Sequence, residues 1–333
     1  MSKFEDTDTT NGYKVLYLSK NVKDDPIAVS GLIWVPDNVA NDSPALTYAH
    51  GTTGLGDQCA PSKSNGAGEA ADIAKDFTRD GFIVAATDYE GLGTPGVHPY
   101  VVGDSEGRGV LDIILAARNL TDTSGESIIW GHSQGGGAAL FAAELAPTYA
   151  PNANVVGAVA GAPAVELKLL TVALAKSPYF GYLFMASAGF KAAYPDLDLS
   201  QLLTAEGIAA VESARTGCTE INDVVRGKDP AIYIAKDLAS TEPLATYLEE
   251  NTPGNRTTDV PIFVYHGEAD KTIPVVGSKL YLDRACRTGG FSILRKTYPD
   301  VGHVDVIQAA RSDITSWIDA RLAGATAETT PCS

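Results

Sequence analysis

Ser127-Ile128-Ile129-Trp130-Gly131-His132-Ser133-Gln134-Gly135-Gly136-Gly137-Ala138-Ala139-Leu140 is the stretch from which the fold can be read. Its first four residues form a short apolar run with the character of a buried strand, and the small and apolar residues from Gly136 onward suit a helix packed closely on a sheet. Between them, Gly131-His132-Ser133-Gln134-Gly135 follows the pattern G-x-S-x-G. The glycines permit a strand-to-helix turn so tight that the serine occupies a backbone region few residues tolerate. The pentapeptide alone is common enough to arise by chance, and its bland reading is a serine in an ordinary βα turn. The strand before it and the helix after it favour a nucleophile presented at the carboxyl end of a strand.

Outward from this turn, short runs rich in β-branched and aromatic residues alternate with amphipathic stretches, the order expected of a mostly parallel sheet with helices on both faces. The strand candidates are 13–19, 27–36, 45–50, 82–88, 127–132, 154–161, 260–267 and 291–298, which predict eight strands. The first two are expected to pair as an antiparallel hairpin at one edge. Helices are expected over 69–79, 110–118, 136–145, 275–287 and 304–322. From Pro163 to Asp259 the alternation fails, and breakers at Pro178, Pro195, Pro230, Pro243 and Pro253 interrupt Ala- and Leu-rich helical sequence. This reads as an inserted, mainly helical cap over 163–258, with 1–162 and 259–333 forming the catalytic domain.

Charge excludes some partners. With 25 Lys plus Arg against 41 Asp plus Glu, the formal net charge of −16 opposes attraction to phosphate backbones, so no nucleic-acid partner is expected. No apolar run approaches the length of a membrane span. Cys59, Cys218, Cys286 and Cys332 are too far apart for a CxxC motif, leaving two disulfides or four thiols. An even count with one cysteine near the end of the chain leans toward disulfides, and hence toward a secreted or periplasmic protein. Met1–Asp6 is acidic without an apolar core, so a signal peptide is expected to be absent or already removed.

A serine hydroxyl needs a base, and five histidines are available. His303 follows the last strand candidate just ahead of a helix, where a loop can carry an imidazole over the sheet. His132 is expected to face away by strand alternation; His50 and His266 end strands inside other motifs, and His98 lies in a Pro-rich loop. The imidazole in turn needs a carboxylate, and Asp270 in His266-Gly267-Glu268-Ala269-Asp270 follows the penultimate strand, with Glu268 and then Asp300 as competitors. An oxyanion requires two main-chain donors: Gln134 after the serine, and Thr52 or Thr53 in His50-Gly51-Thr52-Thr53-Gly54. Gly91-Leu92-Gly93-Thr94-Pro95-Gly96 matches a dinucleotide fingerprint formally, but Pro95 and Pro99 prevent it from opening a helix, so it reads as a structural loop. Asp6-Thr7-Asp8-Thr9-Thr10 lacks calcium-loop spacing, and neither a cofactor nor a metal is expected.

Tyr48-Ala49-His50-Gly51-Thr52-Thr53-Gly54, Asp57-Gln58-Cys59-Ala60-Pro61-Ser62 and Asp88-Tyr89-Glu90-Gly91-Leu92-Gly93-Thr94-Pro95-Gly96, together with the Ser133 turn and the Asp270 and His303 loops, resemble the secretory lipase family. The resemblance implies an α/β-hydrolase fold, esterase or lipase activity without a cofactor, a cap between the sixth and seventh predicted strands, and export. It also implies that Cys59 pairs with Cys218 and Cys286 with Cys332. A small-molecule or lipid ester is then the expected substrate, hydrolysed through an acyl-enzyme. An acyltransferase and a peptidase are the enzymatic alternatives, and a non-catalytic binding protein the remote one. Short to medium acyl chains are expected over long-chain triacylglycerols. The most apolar cap stretch, Tyr179–Ala186, is followed by Ser187, Ala188 and Gly189 and reads as packed interior or pocket wall rather than a mobile lid.

Overall fold

A computed structural model describes residues 1–5, 10–64 and 68–332. Asp6–Thr9, in the segment set aside above for its spacing, lie outside the described residues. The sheet has strands β1 (Ser2–Glu5), β2 (Thr10–Lys20), β3 (Pro26–Pro36), β4 (Ala45–Ala49), β5 (Ile83–Thr87), β6 (Ser127–His132), β7 (Val155–Gly161), β8 (Ile262–Gly267) and β9 (Ile293–Tyr298). They are ordered β1-β2-β3-β5-β4-β6-β7-β8-β9. Among the described residues, nine strands replace the expected eight. The addition is β1, whose four residues carry a single large apolar side chain, Phe4; that ring packs edge-on against Trp34 at 6.3 Å. β2 and β3 do pair antiparallel, but β1 rather than β2 forms the edge.

From β5 to β9 every neighbouring pair is parallel. β4, β5, β6 and β8 are buried along their whole length, as strands covered on both faces must be. One face is covered by helices α1 (Glu69–Arg79), α10 (Asp305–Ala309) and α11 (Arg311–Leu322), whose Phe77, Val306, Ile314 and Ile318 share one buried cluster with Trp34 and Trp130. Helices α2 (Gly103–Thr121), α3 (Gln134–Tyr149) and α9 (Val276–Thr288) cover the other. The single helix expected over 304–322 is two, because the chain breaks at Ala310 between α10 and α11.

Between β7 and β8 the chain leaves the sheet for α4 (Leu167–Leu174), α5 (Gly181–Ala193), α6 (Ala205–Thr216), α7 (Ile221–Val225) and α8 (Leu244–Glu250). These helices share an apolar core containing Phe180, Phe184, Met185 and Phe190. They are fastened to the sheet. Cys218, after α6, is bridged to Cys59 in the β4–α1 connection, and the Leu55 and Gly56 N–H groups both donate to Gly217 O at 3.0 Å. At Gly189 in α5, a Cβ would lie 2.4 Å from Tyr100 N, so only glycine allows that approach. The second bridge, Cys286–Cys332, holds the chain beyond α11 beside β9. There the Thr330 N–H donates to Ile293 O (2.8 Å), and Arg295 N–H donates to Thr330 Oγ1 (2.7 Å). No helix among the described residues is long and apolar enough to cross a membrane.

Candidate active site

After β4 the chain crosses to β5 on one side, and β6 then returns to the other side of β4. A crevice at the carboxyl ends of β4 and β6 follows from this reversal, and open parallel sheets bind ligands at such a point. Ser133 stands in that crevice. Its φ of 61° and ψ of −120° are the strained geometry demanded by a strand that ends and a helix that starts with no intervening loop. The flanking glycines make the turn possible by close approach: a Cβ on Gly135 would sit 1.8 Å from Ala49 O, and one on Gly131 would sit 2.0 Å from Gly135 O.

The loops after β8 and β9 bring two more side chains to this point. His303 Nε2 lies 2.9 Å from Ser133 Oγ, and His303 Nδ1 lies 2.6 Å from Asp270 Oδ2. Asp270 Oδ1 accepts the main-chain N–H groups of Thr272 (2.8 Å) and Ile273 (2.9 Å). The same Oδ2 that faces His303 lies 3.2 Å from Nε2 of the fully buried His266. Burial works to raise the pKa of Asp270, but hydrogen bonds from His266 and His303, and then from the Ile273 N–H, outweigh it and hold the carboxyl well below the usual carboxylate range. The other two acids weighed for this place are elsewhere. Glu268 accepts from Thr297 Oγ1 at 2.7 Å, and Asp300 is an exposed turn residue with φ of 59°.

His132 does not face away from the site. Its ring centroid is 4.8 Å from that of His303, and its Nδ1 is 3.4 Å from Tyr265 Oη. Alternation along β6 puts His132 on the same side as Trp130, the face covered by α1, α10 and α11. The His303 loop runs into α10 over that very face, a convergence that alternation alone does not reveal. Burial lowers the His132 pKa to about 3, so the ring beside His303 is neutral.

A cavity of about 530 Å³ opens above Ser133. Leu167, Leu170 and Leu174 of α4 and Leu183 and Ala186 of α5 wall one side, while Val304 and Ile307 wall another. Glu69 is the one acidic side chain among its described lining residues, and burial raises its pKa. Gln134, Thr52 and Thr53 all reach the cavity; Thr52 Oγ1 lies 2.8 Å from Tyr100 Oη. Gly91–Gly96 is a loop that opens no helix, and a Cβ on Gly91 would sit 2.6 Å from Val97 C and 2.8 Å from His98 N.

Behind Gln134 is a group of polar residues that sequence reasoning passed over. Gln134 Nε2 donates to Glu106 Oε1 at 2.7 Å and to His98 Nε2 at 2.8 Å, and all three residues are buried. The helix expected over 110–118 in fact starts at Gly103, which is why Glu106 was overlooked. It lies on the stripe of α2 that carries Gly103, Gly107, Val110 and Leu111 into the interior, where an acid is out of place unless something receives it.

The sequence model of the secretory lipase family matches residues 70–330. The secreted triacylglycerol lipase LIP4 of Malassezia globosa is 29% identical over 344 residues, covering 95% of this chain and 74% of its own. Lipase 6 of Candida albicans is 26% identical, covering 97% of this chain and 75% of its own. The structure of Candida antarctica lipase A in its closed state superposes with a TM-score of 0.85 at 21% identity, over 97% of this chain and 82% of that one. On the family match and on these relatives, the chain belongs to the secretory lipase family and is a carboxylic ester hydrolase of the α/β-hydrolase fold.

Proposed function

We propose that the enzyme hydrolyses short- to medium-chain acyl esters through an acyl-enzyme on Ser133. The observation that carries this reading is the unbroken line Asp270–His303–Ser133 at the floor of an apolar cavity. Ser133 Oγ attacks the ester carbonyl while His303 Nε2 takes its proton. Asp270 keeps the other ring proton on Nδ1 and stabilises the imidazolium. The tetrahedral oxyanion is received by the main-chain N–H of Gln134 and that of Thr52 or Thr53. His303 then protonates the leaving alcohol, and water repeats the path in reverse to release the acid.

Residues 163–258 act as the cap that shapes the acyl side of the cavity. Its attachment argues against a lid that swings wide at an oil–water interface. The Cys59–Cys218 bridge, the Gly217 hydrogen bonds and the tight seat of Gly189 on Tyr100 all fasten it to the catalytic domain. Phe180, Phe184 and Met185 are cap interior, while Tyr182, Leu183 and Ala186 reach the cavity. Longer chains are favoured by about 0.8 kcal/mol per buried methylene, so the competing reading, supported by a relative named a triacylglycerol lipase, is long-chain lipolysis. Turnover of C4, C8 and C16 esters, with emulsified tributyrin against triolein, separates the two. A maximum at C16, or a sharp rise in rate above the solubility limit, overturns the short-chain reading.

A further inference from the structure

Glu106, Gln134 and His98 form a closed polar group with 2%, 2% and 1% exposure, respectively. The two protons of the Gln134 amide go to Glu106 Oε1 and His98 Nε2, and Glu106 Oε1 also accepts the Val101 N–H at 2.9 Å. His98 Nδ1 lies 2.9 Å from Glu90 O. A carbonyl can only accept, so Nδ1 carries the ring proton and Nε2 offers the lone pair that Gln134 uses. His98 is thereby fixed as a neutral ring and supplies no charge to Glu106, although the two lie 3.6 Å apart. Burial pushes the His98 pKa down to about 3, in keeping with that tautomer.

The group reaches both halves of the proposed oxyanion site. Gln134 contributes one donor directly. On the other side, His98 stacks on Tyr89 at 5.4 Å, and Tyr89 Oη donates to His50 O at 2.9 Å, at the start of the Gly51–Thr53 segment. Among the described residues, the titratable groups facing Glu106 are His98 and Tyr89 from the loop after β5 and Tyr100 ahead of α2, and α3 contributes Gln134. None of these is a cation. An ionised Glu106, held by the Gln134 and Val101 N–H groups and the first turn of α2 but faced by no cation, would place a negative charge directly behind the residue whose N–H must receive a developing negative oxygen.

Building on the acyl-enzyme reading above, we propose that Glu106 is a positioning residue for the oxyanion site, seating Gln134 as a neutral acid and lowering turnover when it ionises at alkaline pH. Burial, opposed by the hydrogen bonds from Gln134 and Val101, pushes its pKa up to about 8, which places the transition within reach of ordinary assays.

The test is the pH dependence of p-nitrophenyl butyrate hydrolysis by wild type, Glu106→Gln and Glu106→Met. In wild type, kcat should fall above about pH 8 with KM nearly unchanged. Glu106→Gln keeps an acceptor for Gln134 and Val101 but cannot ionise. Its kcat at neutral pH should stay within about threefold of wild type, and the alkaline fall should disappear. Glu106→Met matches the length without an acceptor, so kcat should drop at every pH with no alkaline limb. Should either variant fail to fold, the other still decides. The same alkaline limb in a folded variant, or a wild-type kcat that stays level past about pH 9.5, overturns the proposal. Stoichiometric phosphonate labelling of Ser133 in the same wild-type sample keeps this outcome separate from a failure of the acyl-enzyme reading.

Discussion

Replacing Asp270 by asparagine tests the proposed chemistry most sharply, because the surroundings of Asp270 dictate which way the amide must turn. The Oδ1 position receives two main-chain N–H groups, from Thr272 and Ile273, and Oδ2 faces His303 Nδ1 and His266 Nε2. If the amide NH₂ took the Oδ1 position, two main-chain donors would meet a donor, at about 1–3 kcal/mol each. With the carbonyl oxygen kept at Oδ1, the NH₂ instead faces His266 Nε2, a single donor held on Ile273 O, and His303, which can adapt by moving its own proton from Nδ1 to Nε2. The second orientation is therefore favoured, and it disables the base: Nε2, 2.9 Å from Ser133 Oγ, now carries a proton and cannot take another. The expected loss in kcat is about 10⁴-fold, equivalent to about 5.4 kcal/mol of transition-state stabilisation, with KM and the far-UV spectrum little changed. Initial rates on p-nitrophenyl butyrate at saturating substrate measure it. A loss below about 30-fold, particularly beside a large loss in Glu268→Gln, would refute the assignment of Asp270.

An organophosphonate should inactivate the enzyme stoichiometrically and label Ser133, and Ser133→Ala should lose several orders of magnitude in kcat with its fold intact; label on any other residue refutes the nucleophile. For the bridges, loop-closure entropy gives about 5 kcal/mol at the Cys59–Cys218 separation of 159 and about 4 kcal/mol at the Cys286–Cys332 separation of 46. Calorimetry on Cys218→Ser and Cys332→Ser should rank them in that order, and the reverse order would show that native contacts outweigh loop length. Glu144 is raised by burial to about 7 from an ordinary 4.5 despite accepting the Gly254 N–H, so between those values the unfolded chain releases a proton that the native protein keeps. Stability therefore falls as pH rises through this window, and Glu144→Gln should gain on wild type from about pH 5 to about pH 8 in urea titrations; parallel stability curves would contradict this.

The residues that meet above the sheet were legible because each is announced locally. Ser133 lies between a strand and a helix, and Asp270 and His303 follow the ends of β8 and β9, so parallel strands carry all three to one edge. What was not legible depends on contacts between distant segments. β1 escapes a reading by alternation because Phe4 alone gives no period, and only its packing on Trp34 brings it into the sheet. The neighbour of His132 is decided by where the His303 loop crosses, 170 residues beyond Ser133. Glu106, ahead of the helix expected over 110–118, and His98, in a Pro-rich loop, look unrelated until Gln134 joins them. The insertion between β7 and β8 is visible as an interruption in the αβ rhythm, but its individual helices are not, since Ala-rich sequence broken by prolines has no single period.

The segment pinned beside β9 also bears on how this protein would fail. A sheet's outermost strand presents a row of open N–H and C=O groups to which any extended peptide can add. Here Ile293 O and Arg295 N point outward, and Thr330 occupies both, tethered close by through Cys332. A reducing environment would therefore do more than loosen the fold. By releasing the tail it would unmask a template, and molecules still largely native could recruit one another edge to edge, so turbidity in reductant should appear at temperatures where circular dichroism still reports an intact sheet.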